Sequence, residues 1–196
     1  MRTPWGKAQT VRAIADGIRV VSTASHGGMK LDAARNRLIP EALRRASGWY
    51  EEDCEAAIVV AHFAPEFAAA QSERGEASAE AIDALREQAW GVVRNYFPAG
   101  YEVATGRTLA PGESVERDGE QFHERHREDW VVIAALGEAD GVHCIATRGG
   151  VRGDVEERTF LVAREEYETR SRHGFVIDPA RHRRIDDAAE GPGVSG

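Results

Sequence analysis

The feature that most constrains this chain is a change of hydrophobic period beyond its middle. Ile82, Leu85, Ala89, Trp90, Val93 and Phe97 recur at helical spacings and share one face of a helix predicted from Ser78 to about Tyr96. Ser78 supplies its N-cap, and Pro98 with Gly100 close it. After residue 129 the pattern becomes that of strands. Trp130 to Leu136, Val142 to Thr147 and Arg158 to Ala163 are β-prone runs, joined by the segments Gly137 to Gly141 and Gly149 to Asp154. Joints of that length predict an antiparallel meander. A helical turn at Arg164 to Arg170 then leads to a fourth run, Phe175 to Ile177. Helices first and strands second, with no internal repeat, predict an α+β fold.

The first half carries one β signal of its own. Val11 to Ile14 and Ile18 to Thr23 flank Ala15-Asp16-Gly17, a hairpin signature because glycine accepts the positive φ of the turn. Ser25-His26-Gly27-Gly28 reads as a loop, Leu31 to Ala46 as helical but broken at Pro40, and Tyr50 to Phe63 as an apolar helix. The expected organisation is one domain over 1–187: a helical half (1–100), a polar linker (101–129) with a helix from about Ser114 to Arg127, and a sheet half (130–187). The sheet is expected to hold about four strands and to pack with the helices and the N-terminal hairpin. The tail 188–196 is expected to be disordered.

Charge and composition remove several function classes. The 196 residues carry a net charge of −8, and 42% are hydrophobic. Residues 1–100 hold 12 basic and 13 acidic side chains; residues 101–196 hold 13 and 20. General phosphate-backbone binding needs a clustered basic face, so a nucleic-acid partner is disfavoured. Pro179 to Arg184 form a small basic cluster, but Asp186 and Asp187 follow at once, and a solvated end segment is the plainer reading. No apolar run approaches the roughly 20 residues of a membrane span, and Met1 to Lys7 show no apolar leader segment. Two cysteines, Cys54 and Cys144, are too few for a disulfide framework, so a reducing cytoplasm is expected.

Two segments could carry chemistry. In Ser25-His26-Gly27-Gly28 the paired glycines would let a ligand approach the backbone, consecutive amides could cradle an anion, and His26 could transfer a proton. The competing explanation is a tight turn. In Trp49-Tyr50-Glu51-Glu52-Asp53-Cys54 adjacent carboxylates could bind a cation or act as a base, and Cys54 near a helix start could be a nucleophile. Acids in a first turn also complement the helix dipole without further role, and the same acids oppose a thiolate. His26, Glu52, Asp53 and Cys54 are therefore the candidate catalytic residues. Ser25, Gly27, Gly28, Trp49, Tyr50 and Glu51 are the candidate ligand-binding ones.

Other constellations are weaker. Cys54 with His143, oriented by Asp154 or Asp178, follows the papain-like order only loosely. His123 and His126 lie three apart on a helix, as zinc ligands can, but no third ligand is evident, and a solvated, salt-bridging helix explains them. His143 and Cys144, adjacent on a strand, point to opposite faces. His62 and Glu66 suit a helical pair. No phosphate-binding glycine loop or dinucleotide fingerprint occurs. Neither a metal nor a cofactor is expected.

Thr3-Pro4-Trp5-Gly6, Ser22 to Gly28 and Gly48 to Cys54, together with Glu157 to Val162 and Gly174 to His182, resemble the motifs of an uncharacterised domain family of unknown function. That family occurs in proteins of phages, conjugative plasmids and their bacterial hosts, and the resemblance runs from about Thr3 to Ile185. It transfers no activity. It implies an accessory protein of a mobile element that binds a host or viral protein, with anti-defence as one such role; the expected site is an exposed acidic patch formed in part by Glu51, Glu52 and Asp53. The alternative is a small cytoplasmic hydrolase or transferase using His26 with Glu52, Asp53 or Cys54.

Overall fold

Thr3-Pro4-Trp5-Gly6 reverses the chain at once. Gly6 takes φ +120°, and the Thr3 hydroxyl donates to the Gly6 carbonyl (2.9 Å) while accepting from the Trp5 amide (3.1 Å). In the computed structural model, which describes residues 1–72 and 75–186, this turn joins two short strands, β1 (Arg2–Thr3) and β2 (Gly6–Lys7). β3 (Thr10–Ala15) and β4 (Ile18–Ser22) form the expected hairpin, with Gly17 at φ +76°. β5 (Gly27–Leu31) pairs with β4 and with β6 (Trp49–Glu51), giving an antiparallel sheet ordered β3-β4-β5-β6. Between them α1 (Ala33–Arg37) is capped by Asp32, whose carboxylate accepts from the Arg35 amide at 2.8 Å.

Three sequence expectations change here. Gly27 and Gly28 belong to a strand rather than a loop. The helical reading of Leu31 to Ala46 shrinks to α1, because Leu31 completes β5 and Asn36 turns its side chain to the Arg45 carbonyl (2.9 Å) and the Tyr50 hydroxyl (2.7 Å). Trp49 to Glu51 form a strand where a helix start was expected. Glu51 accepts from the Asp53 amide (2.9 Å) and Glu55 from the Glu51 amide (3.1 Å), a local turn that competes with helix. Helix α2 (Glu55–His62) begins only after it.

Of the remaining helices the one over 79–96 follows the expectation, whereas 64–71 continues past the expected end at Phe63 and 98–105 is helical where Pro98 and Gly100 were expected to end a helix and a linker to begin. α3 (Ala64–Gln71) carries Pro65 in its first turn, and α4 (Ala79–Tyr96) is capped by Ser78, whose hydroxyl accepts from the Ala81 amide (3.2 Å). α5 (Pro98–Thr105) starts on its proline and ends at Gly106 in the left-handed conformation. α2 packs on α4, and Ile18, Leu31, Tyr50, Ile58, Val59 and Val93 form a fully buried core from both sheet and helices. Glu102 holds the Arg117 guanidinium with both oxygens (2.7 and 2.8 Å) and also accepts from the Leu109 amide, which fixes the segment after α5.

The chain divides into two compact units, Met1–Arg117 and Asp118–Gly196, and the division falls within α6 (Val115–Arg125). The second unit contains β7 (Trp130–Glu138), β8 (Gly141–Arg148), β9 (Arg158–Val162), α7 (Arg164–Glu168), β10 (Val176–Ile177) and β11 (Arg183–Arg184). Its antiparallel sheet has five strands ordered β10-β7-β8-β9-β11, one more than expected. The fifth comes from the basic cluster: Arg183 and Arg184 keep exposed side chains while their backbones pair with Leu161 and Phe160. The core centres on Trp130, which is 2% exposed, against Phe160, Cys144 and Val162. Arg148 and Arg158 hold their guanidinium carbons 4.3 and 4.4 Å from the Trp130 ring centroid. The fold is α+β. The tail 188–196 lies outside the described residues.

Candidate functional site

The three N-terminal segments singled out in the sequence meet at one place. β5 runs through the middle of it: Gly28 pairs with Val21 on one side and Glu51 on the other. The turn at Gly6 carries the Trp5 indole onto β5, where a Cβ on Gly28 would collide with the Trp5 ring and with the Tyr50 carbonyl. A Cβ on Gly27 would collide with the Glu52 carboxylate. The paired glycines are thus accounted for by close approach of an indole and a carboxylate. Their backbones are engaged in strand pairing with Ser22 and Val21, which differs from a loop of free amides around an anion.

Around this strand the side chains sort into buried supports and exposed groups. Tyr50 is 0% exposed. Its hydroxyl donates to Asn36 and accepts from the Arg45 amide (3.2 Å), and burial pushes the phenol pKa up. It offers no surface to a ligand and instead fixes β6. Trp49 is half-buried and meets Trp5 edge to face, ring centroids 5.7 Å apart, with the Lys30 ammonium 5.2 Å from its own centroid. Ser25, His26, Glu52 and Asp53 are exposed. The loop carrying His26 is closed by Thr23, whose amide and hydroxyl both donate to the His26 carbonyl at 2.7 and 2.8 Å.

Chemistry at this site is limited by two observations. Cys54 stands at the start of α2, half-buried, and burial raises its thiol pKa, with Asp53, Glu51 and Glu116 adding repulsion. That works against a thiolate nucleophile. The adjoining cavity, lined by Val20, Val21, Ser22, Met29, Glu52 and Ala56 among others, holds about 130 Å³. Ligand pockets run from roughly 300 Å³ upward. Among the described residues, Glu52 is the one candidate catalytic residue that lines it.

The histidines proposed elsewhere have local partners. His62 Nδ1 lies 2.7 Å from the Ile58 carbonyl, its ring packs on Trp90, and burial lowers its pKa. Glu66, expected to pair with His62, binds Arg35 at 2.6 Å instead. His143 meets Asp140 at 3.0 Å, His123 the Gly149 carbonyl at 3.0 Å and His126 Asp129 at 2.8 Å. Cys144 is buried and its thiol pushed up to about 11. Among the described residues no three His, Cys, Asp or Glu side chains converge as a metal site would need. Among the described residues no helix is long and apolar enough to cross a membrane.

Sequence reasoning missed one feature of the first unit. A cavity of about 530 Å³ opens beside α4, lined by Glu87, Gln88, Trp90, Gly91 and Arg94, with Tyr101 and Arg107 opposite. The sequence signal for it was Gly91, a glycine in the interior of an otherwise strong helix.

Both features lie in the first unit, whose described residues are α+β. The family model described as a domain of unknown function (DUF7007) matches residues 1–127, and the chain belongs to that family. The match covers the first unit and ends within the second. No curated protein and no solved structure matches the chain.

Proposed function

We propose that this chain is a cytoplasmic accessory protein of a phage or plasmid that acts by binding a host or viral protein, in an anti-defence role. The mobile-element part rests on the motif resemblance alone. The binding part rests on one observation: Trp5 and Trp49, from separate segments, form a pair of half-buried indoles on the face of β5 that carries Gly28, and β6 leaves that face through a turn bearing the exposed acids Glu52 and Asp53. Aromatic anchors beside charge are typical of protein-binding patches. The acids favour a partner that is basic where it touches. The enzymatic alternative keeps His26 and Glu52 as exposed neighbours of Gly27, but loses its nucleophile in Cys54.

The test is an affinity capture of tagged protein from host lysate, comparing wild type, a Glu52→Arg/Asp53→Arg double variant and His26→Ala, followed by titration with the purified captured protein. The expected result is a stoichiometric partner, basic at its contact face, kept by His26→Ala and weakened at least about tenfold by the charge reversal. A partner held equally by all three forms would refute this surface. Loss of the biological effect in His26→Ala, with no stable partner, would favour the enzyme.

A further inference from the structure

The cavity beside α4 has features that neither packing nor the partner surface requires. Gly91 sits in the interior of an 18-residue helix, where glycine is weakening relative to alanine. Its backbone has no positive φ, and a Cβ built on it meets nothing within 4 Å. Neither turn geometry nor close packing therefore explains the glycine. It opens the wall of the cavity.

The groups around it are specific. Among the described residues the Nε of Arg94 is buried and donates to no acceptor. A buried donor left unmade is costly, and an arginine fork matches an oxyanion. Arg107 faces the same cavity. It pairs with Glu113 and lies 3.5 Å from the Tyr101 hydroxyl. Trp90 and Tyr101 are half-buried and meet edge to face at 5.7 Å, leaving ring surface towards the cavity. Two carboxylates temper the arginines: Glu113, held also by the Ala110 amide (2.8 Å), and Glu87 in the wall. That balance disfavours a bare inorganic anion. It suits a ligand with an oxyanion at one end and a planar ring bearing N–H donors at the other, the donors answering Glu87 and Gln88.

We infer that this cavity binds a nucleoside monophosphate, with its phosphate on Arg94 and Arg107 and its base against Trp90 and Tyr101. The volume of about 530 Å³ lies within the range of small-molecule sites. No triphosphate loop is involved, which agrees with the lack of any such motif in the sequence. The site is independent of the partner surface, and either can fail without the other.

Isothermal titration of the full chain with AMP, GMP, CMP and UMP tests it, with inorganic phosphate and indole-3-acetate as competitors. At least one nucleotide is expected to bind with a dissociation constant of about 0.1 mM or lower. Arg94→Gln should weaken it about tenfold or more, Gly91→Leu should abolish it by filling the cavity, and Gly91→Ala should retain it. Circular dichroism melts of the same variants report whether each is folded, and Arg94→Gln decides the question should Gly91→Leu unfold. No binding by any nucleotide at millimolar concentration would overturn the inference. So would equal binding by Arg94→Gln, or tighter binding of phosphate or indole-3-acetate than of every nucleotide.

Discussion

The two units solve the same problem, burying a sheet, in different ways. In Asp118–Gly196 the interior is built around Trp130, flanked by Arg148 and Arg158, and most of the ion pairs among its described residues join residues within three positions along the chain. In Met1–Arg117 the sheet is met on both faces by groups brought from elsewhere in the chain: Trp5 covers Gly28 and Glu52 covers Gly27, on opposite faces of β5, and a helix face is left open at Gly91. A sheet that only needs a core can fill it with large side chains. One that gives up Cβ atoms at Gly27 and Gly28 to seat an indole and a carboxylate is constrained by more than packing. That contrast, together with the family match over 1–127, locates the candidate sites in the first unit.

The comparison can be broken most directly in the second unit. Trp130→Ala should cost about 3–5 kcal/mol through lost burial and the cavity left behind. Amide hydrogen exchange should rise across β7 to β9, and persistent protection there would show that Trp130 is not the centre of that core. Gly28→Val is the corresponding test in the first unit. The new side chain meets both the Trp5 ring and the Tyr50 carbonyl, so a loss of about 1–3 kcal/mol is expected, with exchange rising in β4 to β6. Unchanged stability would mean that Trp5 does not sit on β5.

Acid titration sharpens the picture of the first unit. The Arg117 fork and the Leu109 amide lower the Glu102 pKa from an ordinary 4.5 to about 2. A carboxylate depressed in the folded state stabilises above its unfolded pKa, and that contribution is lost as pH falls from about 4.5 towards 2. Glu102→Gln should flatten the melting temperature over that window relative to wild type. Gly91→Ala is expected to stabilise, by up to about 1 kcal/mol, because it removes a helix-interior glycine without a clash. Cys54 should alkylate slowly at neutral pH, with its rate still climbing above pH 9, the ordinary thiol value from which it is raised. A plateau below that pH would restore it as a nucleophile.

Periodic features were legible in the sequence. α4 has a single apolar face and a serine cap, and the β3–β4 hairpin has its Asp-Gly turn, so local chemistry sufficed for both. The segments around the candidate site were read less well because their conformations are decided by distant partners. Gly27 and Gly28 look like loop residues until Trp5 and Glu52 are placed over them. Trp49 to Glu51 look like a helix start until β5 offers its edge. Tyr50 was named a ligand contact together with its neighbours Trp49 and Glu51, whereas Asn36, fourteen positions earlier, draws its hydroxyl inside. The α4 cavity escaped notice because its parts, Gly91, Arg94, Tyr101 and Arg107, form no motif along the chain.

The central claim is that the Trp5 and Trp49 indole pair, with the acidic turn that follows β6, is where a protein partner docks. Site-specific photocrosslinking tests it most directly, with a benzophenone amino acid placed at Glu52 and, as control, at Leu136 on the exposed part of β7. The account predicts one dominant crosslinked protein from position 52 in host cells, abolished by Asp53→Arg, and none of that protein from position 136. The same crosslinked proteins from both positions, or none from position 52, would contradict it.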